Sequence, residues 1–94
     1  MAERNDNTVL IGKKPVMSYV LACMTLIQGN QSPEIIIKAR GRAICSAVDT
    51  AQILMNKFAK DVEVKEIEID TEEVKNRETG QNTNVSSIII ILKK

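Results

Sequence analysis

Twice within the first sixty residues, a short β-branched run ends beside a glycine with basic neighbours and gives way to apolar residues at helical spacing. The first run is Thr8-Val9-Leu10-Ile11, followed by Gly12-Lys13-Lys14 and by Pro15. Proline suits a first helical position, where its missing N–H costs nothing. Val16, Val20, Cys23 and Ile27 then recur at i, i+4, i+7 and i+11, an apolar stripe widened by Met17, Leu21 and Met24, with Gly29 as its expected end. After a turn over Asn30 to Pro33 the second run, Glu34-Ile35-Ile36-Ile37-Lys38-Ala39, stops at Arg40-Gly41-Arg42. From Arg42 to about Lys60, Ile44, Ala47, Val48, Ala51, Leu54, Met55 and Phe58 fall on one helical face. Two successive strand–helix units with right-handed crossovers make the two strands parallel, with their carboxyl ends on one edge of a sheet.

The remaining third reads as two strands. Asp61 to Thr71 alternates, but Val62 and Val64 are even-numbered whereas Ile67 and Ile69 are odd. One extra residue near Lys65-Glu66, a β-bulge, would bring all four to one face; partial cover of both faces would explain the pattern equally well. Glu72 to Asn84 is a polar excursion with Gly80 as its turn residue, and Val85 to Leu92 is a strand apolar on both faces. The expected fold is an α/β (α+β) two-layer sandwich, β-α-β-α-β-β: two helices on one face of a four-stranded mixed sheet, with a long terminal hairpin. Ninety-four residues allow one domain, expected over residues 9–94 behind a disordered tail at 1–8.

The chain has no His and two Cys, Cys23 and Cys45, set apart without a CxxC motif. No metal site and no cofactor are expected from so few ligands, and a buried structural thiol is the favoured reading of the cysteines. No nucleophile elbow or phosphate-cradling glycine loop is present, and the acids Asp61, Glu63, Glu66, Glu68, Asp70, Glu72 and Glu73 mostly alternate as on a solvated strand face, so no catalytic residue is assigned and no enzyme is expected. The longest apolar run, Ile88–Leu92, is far short of a membrane span, and the first residues carry no leader-like stretch. No membrane partner is expected, and the expected location is cytoplasmic.

A formal net charge of +1, taken alone, argues against a polyanion partner, but it hides a dipole: residues 1–60 carry eight Lys/Arg and four Asp/Glu, residues 61–94 five and eight. Lys13, Lys14, Arg40 and Arg42 sit at two helix starts, where the macrodipole is positive and acids or Ser/Thr are the usual choice. A bound anion would account for cations there, because unpaired N–H groups and basic side chains together make a phosphate site. Ile53 falls on the helix face opposite the apolar one, either as an ordinary exposed residue or as a subunit contact. Ile89 and Ile91, within the run Ile88–Leu92, offer more apolar surface than two helices easily cover, so a homodimer is expected.

These residues resemble the Alba family of archaeal chromatin proteins. The likeness is carried by Val9-Leu10-Ile11-Gly12-Lys13-Lys14-Pro15-Val16-Met17, Tyr19-Val20-Leu21-Ala22, Ile37-Lys38-Ala39-Arg40-Gly41-Arg42-Ala43-Ile44 and Ala47-Val48-Asp49. The resemblance implies a fold like the C-terminal domain of translation initiation factor three, and a chromosome-associated homodimer that binds double-stranded DNA, and often RNA, without catalysis. It assigns Lys13, Lys14, Arg40 and Arg42 to the DNA-facing surface, Lys75 and Arg77 to a hairpin reaching along the minor groove, and Phe58 to dimer–dimer contacts along DNA, although the helical wheel also allows Phe58 a core position. It also points to Lys13 as an acetylation site whose modification would remove a charge. Ser46 and Met55 stand where relatives often carry Lys or Arg, and Glu72, Glu73 and Glu78 outweigh Lys75 and Arg77 in the hairpin. Fewer phosphate contacts imply weaker or more selective binding. An RNA-binding role and a phosphate-ligand-binding domain on the same basic rim are the alternatives.

Overall fold

Alternate residues of the second strand, Ile35, Ile37 and Ala39, are buried, and their partners in the last strand, Leu92, Ile90 and Ile88, are buried with them. These six side chains form the floor of the core. The computed structural model describes residues 7–29 and 34–94. Its elements are β1 (Thr8–Leu10), α1 (Val16–Gly29), β2 (Glu34–Arg40), α2 (Ala43–Ile53), a π turn (Leu54–Phe58), β3 (Glu63–Lys75) and β4 (Asn82–Lys93). The sheet order is β1-β2-β4-β3, with β1 and β2 parallel and the other pairs antiparallel. Both helices cover one face, contributing Val20 and Cys23 from α1 and Ala47, Thr50 and Ala51 from α2, with Leu54 at the following turn. The buried Thr50 hydroxyl donates to the Ser46 carbonyl one turn back, at 2.7 Å, so its polar atom is satisfied inside the helix. The other face carries no helix, and Ile36, Ile89 and Ile91 are half-buried there.

The expected two-layer, β-α-β-α-β-β arrangement is the observed one. The phase change in the third strand is a β-bulge: the β3–β4 register shifts between Val64 and Glu66. Val64, Ile67 and Ile69 consequently lie opposite Leu92, Ile90 and Ile88, on the helix-covered side.

Several boundaries differ from those the pattern predicts. The segment 72–84 is mostly strand, since β3 continues to Lys75 and β4 begins at Asn82. Nothing in its polar composition signals pairing, because the strands are joined through the backbone ladder and not through a buried apolar face. Asn76 closes the hairpin: its Oδ1 accepts the N–H of Glu78 at 2.8 Å, and Gly80 takes a positive φ of 74°. The turn expected at 30–33 lies outside the described residues. So do residues 1–6 of the expected tail; of its last two residues, Asn7 is buried with its Nδ2 donating to the Glu34 carbonyl, and Thr8 opens β1.

The second helix is rotated from its expected aspect. Its buried line is Ala47, Thr50, Ala51 and Leu54, which leaves Val48 exposed and brings Ile53, expected on the outer face, half-buried against the core. Packing against α1 as well as the sheet shifts the buried stripe away from the centre of the hydrophobic one. The wider π turn then changes the angular spacing, and Phe58 emerges 45% exposed instead of continuing the core stripe. Cys23 is fully buried and burial pushes its thiol up to about 12, which makes it unreactive; Cys45 is exposed.

Candidate nucleic-acid interface

Parallel pairing of β1 and β2 fixes the position of the basic residues. Leu10 pairs with Lys38, and the Ile11 N–H donates to the Lys38 carbonyl at 2.9 Å, so Gly12 and its lysines leave the sheet at the edge where β2 ends in Arg40. Lys13, Lys14, Arg40 and Arg42 are all exposed along this rim. Neither helix has an acid in its first turn, and Arg42, the N-cap of α2, makes no side-chain capping bond. Positive helix ends and cationic side chains thus coincide, an arrangement that attracts an anion.

A buried phenol braces the rim. The Tyr19 hydroxyl accepts the backbone N–H of Gly12 at 2.8 Å and that of Lys14 at 3.0 Å, tying the Lys13–Lys14 loop to α1. Sequence reasoning assigned Tyr19 no role, and only its spacing of five to seven residues from the loop hinted at one. Tyr19→Phe removes the one acceptor of both bonds and is expected to lower the free energy of unfolding by about 1–2 kcal/mol. A urea midpoint equal to that of the parent would show that the loop holds without the phenol.

Gly41 makes the second corner. It adopts φ 61°, and its N–H donates to the Ser86 carbonyl at 2.8 Å, anchoring the β2–α2 turn to β4. On one side of that corner Arg42 is the N-cap of α2, without a side-chain capping bond. On the other, Arg40 Nη1 lies 2.9 Å from Glu72 Oε1 on β3. The pairing of the Arg40 head was not visible in the sequence, because it joins residues 32 positions apart.

Lys75 ends β3 and Arg77 lies in the hairpin turn, both exposed on an arm separate from the rim. The helix-free face of the arm's root is acidic: Glu66, Glu68, Asp70 and Glu72 stand opposite Ile91, Ile89, Ser87 and Val85. A hydrogen bond and like charge from Glu66 raise the Glu68 carboxyl above its ordinary value. At the start of the same strand, the Lys65 ammonium hydrogen-bonds Glu34 and holds its carboxyl below the usual range.

Of the apolar contact candidates, Ile89 and Ile91 are half-buried on the helix-free face, Ile53 is at the core margin, and Phe58 is exposed beside Met24, Ile27 and Gln28 of α1. A different apolar surface is left open. Ile67 is 53% and Ile69 78% exposed, with Val64 beside them on β3 and Val48 exposed on α2. The odd–even phase change was the signal for it, since a bulge places these β3 residues on one side. No group of three or more potential metal ligands occurs among the described residues, and no described helix is long and apolar enough to cross a membrane.

A family model for Alba matches residues 7–71, which span β1 through most of β3. The chain belongs to the Alba family. A protein of Methanocella arvoryzae named DNA/RNA-binding protein Alba is 52% identical over 90 residues, covering 95% of this chain and 91% of its own. Another of the same name from Picrophilus torridus is 48% identical over 94 residues, the full length of both. The solved structure of Alba from Thermoplasma volcanium superposes with a TM-score of 0.86 at 46% identity, covering 94% of this chain and all of its own. Membership in Alba thus rests on the strand–basic–helix units and on the whole β-α-β-α-β-β framework that carries them.

Proposed function

We propose that this Alba-family chain is a non-enzymatic nucleic-acid-binding protein that grips the phosphates of double-stranded DNA as a homodimer and contributes to chromosome organisation in the cytoplasm. The observation that carries the reading is the convergence of Lys13, Lys14 and Arg42 on one sheet edge at two helix N-termini. The names of the relatives, DNA/RNA-binding protein Alba, support the same ligand class. Lys75 and Arg77 on the hairpin arm extend the contact outward, and the domain that does this is residues 9–94.

Duplex rather than single-stranded ligand is favoured by the aromatic inventory. The chain has one Tyr and one Phe; Tyr19 is buried under the rim, and Phe58 sits beyond α2. Bases have no ring platform on which to stack, so recognition rests on backbone phosphates and groove shape. RNA is the second reading, supported by the relatives' name, DNA/RNA-binding protein Alba. The open apolar surface of Val48, Val64, Ile67 and Ile69 supports dimerisation, Phe58 is available for dimer–dimer contacts, and acetylation of Lys13 would remove one rim charge.

Affinity for duplex DNA, duplex RNA and hairpin RNA measured against salt tests the reading. Binding should weaken steeply with salt for each, with duplex DNA tightest, because each phosphate contact adds about 0.9 to the slope of log K against log salt. A salt-independent affinity, or no binding at low salt, would rule out the rim as a phosphate surface. Duplex RNA binding tighter than DNA would move the role to RNA metabolism.

A further inference from the structure

We propose that Glu72 is a competitor for phosphate built into the rim, one that holds the Arg40 guanidinium and thereby sets how tightly this chain binds nucleic acid. The inference rests on the nucleic-acid reading above for its biological meaning, but not for its physical content. Arg40 lies at the end of β2 on the helix-free face, opposite Ser87 of β4, which lies opposite Asp70 of β3. Glu72 is two residues further along β3 and on the same face as Asp70. To meet it, the Arg40 side chain crosses the full width of β4, and the small Ser87 at the crossing leaves it room. The contact closes at 2.9 Å over a cleft of about 400 Å³, lined in part by Leu10, Lys38 and Ile89.

Both partners are exposed, and a solvent-exposed ion pair is weak enough for a phosphate to displace. The guanidinium offers the same fork to a carboxylate and to a phosphate, so the two compete for one donor set. Of the four rim cations, Arg40 is therefore occupied before any ligand arrives, while among the described residues no acidic side chain forms an ion pair with Lys13, Lys14 or Arg42. Glu73, the next residue, lies opposite Asn84 on the other side of the strand and carries the same charge without this contact.

That difference supplies the control. Glu72→Gln is expected to tighten binding to a DNA duplex about three- to tenfold at low salt and to steepen the salt slope by about 0.9, as one more phosphate is neutralised. Glu73→Gln removes the same charge and should produce a smaller gain with no change in slope. In an Arg40→Ala background the gain from Glu72→Gln should vanish, because the glutamate acts through the arginine. Equal gains from the two Gln variants, or a gain that survives Arg40→Ala, would reduce Glu72 to part of the general acidic field and overturn the proposal.

Retention on heparin, a sulfated polymer without bases, reads the same competition independently. Later elution of Glu72→Gln that depends on Arg40, in a protein that binds no DNA or RNA, would keep the competition and discard the nucleic-acid reading. Unchanged elution together with unchanged DNA binding would discard the competition itself.

Discussion

Replacing Lys13, Lys14 and Arg42 together with alanine should weaken binding to duplex DNA on the order of a hundredfold near physiological salt and make the salt slope shallower by about 0.9 per lost phosphate contact. Among the described residues no acid pairs with these three side chains at the helix starts, whereas Arg40 is held by Glu72. Arg42→Ala alone should therefore cost more affinity than Arg40→Ala, although both arginines flank the same glycine. The loss should be similar for unrelated DNA sequences, since phosphate contacts position a protein without reading bases. All three side chains are exposed, so the thermal midpoint should barely move, which separates lost binding from lost folding. An unaltered slope in the triple variant would place the binding surface elsewhere, with the hairpin residues Lys75 and Arg77 as the next candidates.

The second large effect concerns the open flank of β3. Ile69→Asp, alone or with Ile67→Asp, should convert a dimer into a monomer, visible by sedimentation at tens of micromolar. In a two-fold interface each substitution acts twice, and fully burying an isoleucine is worth about 1.5–3 kcal/mol relative to exposing it. Losing two such contributions raises the dimer dissociation constant on the order of a hundredfold or more, before the cost of burying a carboxylate is counted. Ile69 is 78% exposed in the single chain, so its replacement should leave the far-ultraviolet dichroism intact. DNA binding should weaken in parallel, because one rim per molecule lacks the gain from two linked contacts. A dimer that persists in the double variant would return the interface to the helix-free face, where Ile89 and Ile91 lie half-buried.

How much of this was legible in the sequence depended on whether burial wrote a period into it. Ile35, Ile37 and Ala39 alternate because one face of β2 is covered, and the Val16–Val20–Cys23–Ile27 stripe recurs because α1 lies on that face. The bulge was legible as a phase slip, though its choice over the alternative needed the β4 register. The arm beyond Thr71 was not, since strands exposed on both faces carry no apolar alternation. The aspect of α2 was misread because the buried stripe is set jointly by the sheet and α1, and because a π turn breaks the 3.6-residue count before Phe58. The rim was found from charge at two helix starts, but its division into free and occupied cations was not. A salt bridge spanning three strands has no local signature.

Among the described residues, β1 pairs with a single neighbour over three residues and lies at the edge of the sheet. Such a strand is among the least costly elements of the molecule to open, well below the free energy needed to unfold the sheet as a whole. Its detachment would break the Ile11–Lys38 bond and leave the Gly12–Lys14 loop, half of the basic rim, held only through the Tyr19 hydroxyl. A polyanion bound there would couple to that local equilibrium, favouring the closed strand by mass action. The amide of Ile11, which donates to the Lys38 carbonyl, would then exchange more slowly with solvent as ligand is added, long before the core registers any change.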